Sequence, residues 1–460
     1  RQIEPVHPGG GLSMHNTTTD RRTPRTFAAG AALLLISIAG AYGQSKTLPA
    51  HTRFFIPQAP SGAVQQVQGL FKQGQFKDAL LIIAMEGVPQ AVWLTGGTPS
   101  EVSASVASTL MEAKWQRAAP VLVLYNIPGR DCGSYSAGGA ENTAEYEAWI
   151  DAIAAAIGSQ KVLIVLEPDS LADLPSDCGY NPTQVNIPQL TADRYTQISY
   201  AVTTLETGSQ TLVYVDAGNS HWQAVPIIAA RLAQAGIQQA QGFFSNVSNF
   251  NLNDYESTFD TWVSDCIAFA NDPEQGGWRL GNYSYCASQY YSPLGPVDPD
   301  NIATWIYTDE WYEQNMGTAV PTTHFLIDTS RNGQGPLDAS IYAAAPYNQP
   351  ASVVQTLTNG SWCNPPGRGL GTHPTANTGV SLLDAYLWVK TPGESDGTCD
   401  AAGGARAWDY ADYTQPGWPT TAAGQAVFDP LWGLDDPIAG AWFPQQALQL
   451  AQLANPQLLL

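Results

Sequence analysis

Lys161-Val162-Leu163-Ile164-Val165-Leu166-Glu167-Pro168-Asp169-Ser170-Leu171 decides the fold. Its first six residues are apolar after the lysine and do not alternate with polar ones. A strand of this kind is buried on both faces, as in a parallel sheet. It then runs straight into a proline flanked by two acids. Working outward, the same grammar recurs. Further strands are predicted at 79–84, 91–94, 121–125, 211–215, 241–244, 324–327 and 385–389. Between them lie helical periods. Tyr146, Trp149, Ile150, Ile153 and Ile157 share one helix face, with Asn142 and Glu145 as a capped start and Gly158 as a stop. Segments 191–207 and 224–237 read the same way. Repeated strand–helix units imply right-handed crossovers and a parallel barrel or open sheet.

The residues at the carboxyl end of each strand carry the functional signal. Strand 121–125 runs into Asn126-Ile127-Pro128-Gly129-Arg130-Asp131, strand 211–215 into Asp216, and strand 241–244 into Ser245-Asn246. Strand 324–327 runs into Asp328-Thr329-Ser330-Arg331, and strand 385–389 into Lys390, then Glu394 and Asp396. In a barrel these carboxyl ends converge on one face, where such folds keep their active sites. Two long stretches, 271–321 and 397–440, break the alternation and are rich in Gly, Pro, Asp and aromatics. Such stretches are often lids or walls.

Composition narrows the function. The net charge of -21 leaves no basic footprint for nucleic acid and disfavours a polyanionic substrate. Fourteen tryptophans exceed what a core needs, which suggests that a few line a groove for flat sugar rings. Arg21, Arg22 and Arg25 precede an apolar run over 27–41 that ends in Ala41-Tyr42-Gly43. This pattern predicts a secretory signal peptide over 1–43, with export by the general or the twin-arginine route, and a single catalytic domain over 44–460. The run is too short for a membrane anchor, so no membrane association is expected after cleavage. Six cysteines in an exported chain favour disulfides. Sequence neighbours are the first guess for the pairing, which the residues alone leave open. There is no Cys-x-x-Cys or His-x-x-x-His spacing, no phosphate-binding glycine loop and no nucleophile elbow. No metal and no cofactor are therefore expected.

Several carboxylates at a barrel mouth suggest acid–base work such as glycoside hydrolysis, in which one protonated carboxyl donates to the leaving oxygen. It stays protonated near neutral pH only if burial or a nearby like charge raises its pKa. Asp169 and Asp131 end separate strands of one sheet and could form such a pair.

The chain resembles glycoside hydrolase family 6, the cellobiohydrolases and endoglucanases with a distorted β/α barrel of about seven parallel strands. The likeness rests on five ordered pieces: Tyr125 to Cys132, Leu166 to Leu171, Tyr214 to Gly218, Asn377 to Gly379, and Trp388 to Gly397. The resemblance implies an inverting β-1,4-glucanase. Asp169 matches the general acid. Asp131 matches the carboxylate that keeps it protonated and stabilises the transition state. Asp396 matches the proposed base, acting directly or through a water chain. Tyr125 matches the tyrosine that crowds the distorted sugar, and Ser136 the serine that helps hold the water. Trp93, Trp222 and Trp362 match platform tryptophans; Lys390 and Glu394 match residues that bind the glycone side. Asn249, Arg130 and Arg331 are expected as neighbours, the arginines pairing with Asp396 or Asp131, and Asp216 in a structural network. The family pattern implies Cys132–Cys178 and Cys363–Cys399, with Cys266–Cys286 as an extra bridge. The implied partners are β-1,4-glucan and cellooligosaccharides.

The loops are mixed. The first, Ser134 to Gly139, is short and endoglucanase-like; the second, after Asp396, is long and cellobiohydrolase-like. Val225 stands where the cellobiohydrolases tend to carry a second tryptophan. Endo attack is expected, with a processive cellobiohydrolase as the alternative. A catalytically inactive glucan-binding protein on the same barrel is the alternative from a different class.

Overall fold

The computed structural model describes residues 46–295 and 298–459. The expected signal peptide lies outside them. Seven strands form one sheet: β1 (Val92–Leu94), β2 (Val121–Leu124), β3 (Val162–Leu166), β4 (Thr211–Asp216), β5 (Gly242–Ser245), β6 (His324–Asp328) and β7 (Leu383–Leu387). They are ordered as in the chain, and every neighbouring pair is parallel. The sheet curls into a barrel that is not closed by a strand ladder. At the gap, the Ala91 N–H donates to the Trp388 carbonyl at 2.9 Å, and the Trp93 indole donates to the Val389 carbonyl at 2.8 Å. This is the distorted β/α barrel expected from the sequence.

The unbroken apolar runs have the predicted cause. Along β3, Val162, Ile164 and Leu166 pack outward against helices, while Leu163 and Val165 pack into the barrel interior. The outward layer meets α3 (Pro99–Gln116), α4 (Thr143–Ile157), α5 (Ile187–Leu205), α6 (Val225–Gln234) and α7 (Asn253–Asn271). α4 starts and stops where the sequence places its caps: the Asn142 side chain accepts the Glu145 N–H at 3.0 Å, and Gly158 follows the last turn at φ +57°. A helix ended this way loses few backbone partners to solvent.

Two predicted strands are corrected. Segment 79–84 is not a strand; it lies inside a helix, Phe76–Glu86, here α2, which follows α1 (Ser61–Lys72). Its buried residues Ala79, Ile82 and Met85 recur every three positions and pack against α1 and the C-terminal helix Pro444–Gln452. A short apolar run does not distinguish a buried strand from a buried helix. The last strand sits at 383–387 rather than 385–389, and its burial alternates because Asp384 and Tyr386 keep partial exposure at the sheet edge. The segment between α7 and β6 carries one more helix, α8 (Ile306–Asn315).

All three disulfides form, as Cys132–Cys178, Cys266–Cys286 and Cys363–Cys399. Each fastens a loop rather than the barrel, which the strand ladder already holds.

Candidate active site

β2 and β3 run in register up to Leu124 beside Leu166, so the loops that leave them start side by side. The Glu167 N–H continues the ladder to the Leu124 carbonyl at 2.7 Å. Two tight turns come next. Asp131 and Cys132 sit at φ +57° and +47°, Glu167 and Asp169 at +51° and +68°. Positive φ costs a residue with a Cβ, and such strain gathers at functional sites. Here it turns Asp131 and Asp169 onto one cleft of about 1240 Å³. Asp396 reaches the same cleft from the loop after β7.

The acids at the strand ends sort into two groups. Glu167, Asp216 and Asp328 spend their carboxylates on backbone amides. Glu167 accepts the N–H groups of Asn126 and Ile127. Asp216 accepts those of Leu171, Ala172 and Gly218. Asp328 accepts those of Ser248, Ser330, Val389 and Lys390. These three brace the loops. Asp131, Asp169 and Asp396 line the cleft.

Their electrostatics differ. Asp169 keeps part of its surface on the cleft, but its carboxyl is packed deep among protein atoms. Burial, then the nearby carboxylates of Asp216, Asp131, Asp173 and Asp396, push its pKa well above the usual range. It is therefore poised to carry a proton. Burial also raises Asp131, opposed by the Ser136 N–H, which donates to its Oδ2 at 2.5 Å, and by the charge of Arg130. Burial alone would raise Asp396 too. The Arg331 guanidinium at 2.8 Å and the Lys390 ammonium at 3.5 Å outweigh it and hold the carboxyl below its ordinary value. The cleft thus sets a carboxyl biased toward its protonated form beside one biased toward ionisation.

Around these acids the cleft brings together Trp93, Tyr125, Ser136, Trp222, Asn249, Trp362 and Lys390, all predicted from sequence. Trp222 and Trp362 remain 37% and 40% exposed on this cleft, so their ring faces are open to a flat ligand. Four predicted residues do not line it. Arg130 lies over the Tyr125 ring and donates to the carbonyls of Thr95, Tyr125 and Ser136. Arg331 is fully buried behind Asp396. Asp216 is held by its amides, and Glu394 lies beside Glu86, away from the cleft wall. Sequence reasoning missed Asp173, four residues after Asp169. It lines the cleft with its carboxyl raised to about 6 by burial, then by Asp177 and Asp131. It also lies beside Cys132 and Cys178, but their sulfurs are joined to each other, so this trio is no metal site.

The two loops meet at Tyr135. Its ring lies 6.1 Å from that of Trp362, and its hydroxyl accepts the Asp400 N–H at 3.2 Å. The ring fits only because Gly397, at φ +156°, has no Cβ; one there would come within 2.6 Å of the Tyr135 Cβ. Asp436 and Trp432 of the second loop bond Asn364 behind Asp396, and its middle packs on itself away from the cleft. Arg406 donates to Asp429 and to the Cys363 carbonyl, and Trp408, Tyr413 and Trp418 pack on one another. No residue of 397–440 lines the cleft.

Buried acids make a stability prediction. Burial raises Glu86, with Glu394 adding, and raises Glu167, each to about 7. The native chain then keeps protons that the unfolded chain releases above roughly pH 4.5. Their contribution to stability is full below that value and is lost as pH rises through about 7. The calorimetric melting midpoint is expected to fall by about 5 °C or more between pH 5 and pH 8. A flat or rising midpoint would contradict this.

A parallel barrel whose mouth sets acids between aromatic faces fits the glycoside hydrolase class. The chain belongs to glycosyl hydrolases family 6, whose sequence model matches residues 49–454. It is 32% identical to endoglucanase A of Cellulomonas fimi over 332 residues, 72% of this chain and 54% of that one. It thus spans about half of that relative's length. It is 28% identical to 1,4-beta-D-glucan cellobiohydrolase C of Emericella nidulans over 403 residues, 80% of this chain and 70% of that one. Its structure is similar to that of the endoglucanase Cel6 from Mycobacterium tuberculosis, solved with a methyl-cellobiosyl-thio-cellobioside. The TM-score is 0.56 at 31% identity, over 88% of this chain and 98% of that one.

Proposed function

We propose that this chain is a secreted cellulase that hydrolyses β-1,4-glucan with inversion and attacks within the polymer. One observation carries the chemistry: Asp169, whose burial and neighbouring carboxylates favour its protonated form, shares an aromatic-flanked cleft with Asp131 and with Asp396, whose ion pairs favour its ionised form. Asp169 donates its proton to the leaving glycosidic oxygen. Asp131 keeps that proton in place before the step and faces the developing oxocarbenium charge during it. Asp396 draws a proton from the attacking water, directly or through a second water. Inversion requires room for that water between acid and base. Tyr125 and Ser136 shape the reacting subsite. Trp93, Trp222 and Trp362 stack sugar faces, and Lys390 and Asn249 offer polar contacts. Arg331 and Glu394 act from behind the wall.

The endo mode is supported by the exposure of Trp222 and Trp362 and by the second loop packing away from the cleft. A chain can then enter from the side rather than from its end. Export is supported by the three disulfides, which persist in oxidising compartments, with residues 1–43 as the leader and 44–460 as one catalytic domain. The test is hydrolysis of soluble carboxymethyl cellulose and amorphous cellulose. Rapid loss of viscosity with few reducing ends is expected, and proton NMR should show the α-anomer first. Near-exclusive cellobiose with slow viscosity loss would replace endo by processive attack, and an initial β-anomer would rule out inversion.

A further inference from the structure

Beyond Trp222 the cleft gains a wall that the barrel itself does not supply. Tyr290 and Asp300, from the segment between α7 and α8, line it together with His221 and Trp222. Residues 286–289 of this segment are pinned one after another. Cys286 is bonded to Cys266 of α7. The Ala287 carbonyl accepts the Tyr312 hydroxyl at 3.0 Å, and the Ser288 carbonyl accepts the Thr308 hydroxyl at 2.7 Å. Gln289, only 1% exposed, donates its amide to the Ser220 and Gln223 carbonyls at 2.9 and 3.0 Å. Ser220 and Gln223 bracket Trp222 in the chain. The residue before Tyr290 therefore clamps the very loop that presents Trp222. Further along, Asp300 reaches His221 at 3.2 Å and takes the Tyr255 hydroxyl on its carbonyl at 2.6 Å.

On this fixed backbone Tyr290 stays 46% exposed. A rigidly presented, exposed aromatic on a cleft wall loses little freedom when a flat apolar surface covers it. We propose that Tyr290 is an outer stacking platform for a glucosyl unit beyond the one held at Trp222. The Tyr290 hydroxyl and the Asp300 carboxylate can bond that unit's hydroxyls. Val225, at the position where the cellobiohydrolases tend to carry a second tryptophan, is instead buried at the start of α6 and cannot serve.

The proposal rests on the β-glucan reading. Its test compares initial rates on cellotetraose and cellohexaose for the wild type, Tyr290→Ala and Tyr290→Trp. Tyr290→Ala is expected to raise KM for cellohexaose about 5-fold with kcat unchanged, and to leave cellotetraose within about 2-fold. Equal changes on both lengths, or none on cellohexaose, overturn the platform. Tyr290→Trp keeps an aromatic face and should hold the wild-type cellohexaose KM or lower it. A rise to the alanine level overturns the proposal even if the alanine variant melts early. A wild type that cuts neither sugar would sink the glucanase reading itself, and the platform with it.

Discussion

Asp169→Asn is expected to lower kcat on β-1,4-glucan by about 10³-fold and to leave cellooligosaccharide binding near normal. General acid catalysis contributes roughly 10²- to 10⁴-fold, and an amide cannot donate the proton. The fold should not suffer. The amide closely matches the protonated carboxyl in shape, and it removes the pH-dependent cost of ionising a group packed this deeply. The melting midpoint at pH 7 should hold or rise. The same electrostatics set the pH profile. Asp131 is one of the carboxylates that raise Asp169, after burial and Asp216. In Asp131→Asn that repulsion is gone, so Asp169 should lose its proton at lower pH and the alkaline limb of kcat should move down. Early melting of Asp169→Asn would make the residue structural. An alkaline limb unmoved by Asp131→Asn would remove Asp131 from the proton-holding role.

Arg331→Leu should be the most damaging single change behind the cleft wall. The guanidinium is fully buried, donates to Asp396 at 2.8 Å and to the Ser248 carbonyl, and lies over the Phe250 ring at 4.4 Å. Removing one partner of a buried pair commonly costs about 3–5 kcal/mol, because the other charge loses its main compensation. Lys390 at 3.5 Å and the Asn364 N–H at 3.0 Å remain to hold Asp396, so its carboxyl should rise rather than fully neutralise. Activity should then fall most at acidic pH, where Asp396 would take up a proton. Urea unfolding reads the stability loss. The double variant Arg331→Leu with Asp396→Leu should regain much of the stability and none of the activity. A loss under about 1 kcal/mol in Arg331→Leu would show that the pair carries little.

The two loops explain why the mode of attack is harder to read than the chemistry. Length alone suggests that the segment after Asp396 could roof the cleft. Its own composition sends it elsewhere, because Trp408, Tyr413 and Trp418 bury one another and Arg406 ties Asp429 to the Cys363 loop. Tyr135 of the short loop is the residue that reaches back to the cleft wall, seated on Gly397 and against Trp362. A count of loop residues carries no information about which surface a loop prefers.

By itself the sequence determined the parallel α/β class, the rhythm of strands and helices, and the clustering of acids at strand ends. These depend on local pattern: unbroken apolar runs need two covered faces, and a strand's carboxyl end needs polar residues. It did not distinguish α2 from a strand, since a short apolar run suits either until its neighbours are known. Nor did local pattern separate the acids; only the family resemblance set Asp169, Asp131 and Asp396 apart and gave Asp216 a structural role. Glu167, Asp216 and Asp328 look like Asp131 and Asp169 in the chain, yet the first three are filled by backbone N–H groups while the others line the cleft. Only the tertiary structure shows which donors fill each carboxylate. A carboxylate's role depends on which donors and charges come within a few ångströms of it, and those come from loops far apart in sequence. The wall at Tyr290 has the same origin: a residue of the long 271–321 stretch shares the cleft with Trp222, and buried Gln289 ties that stretch to the carbonyls of Ser220 and Gln223.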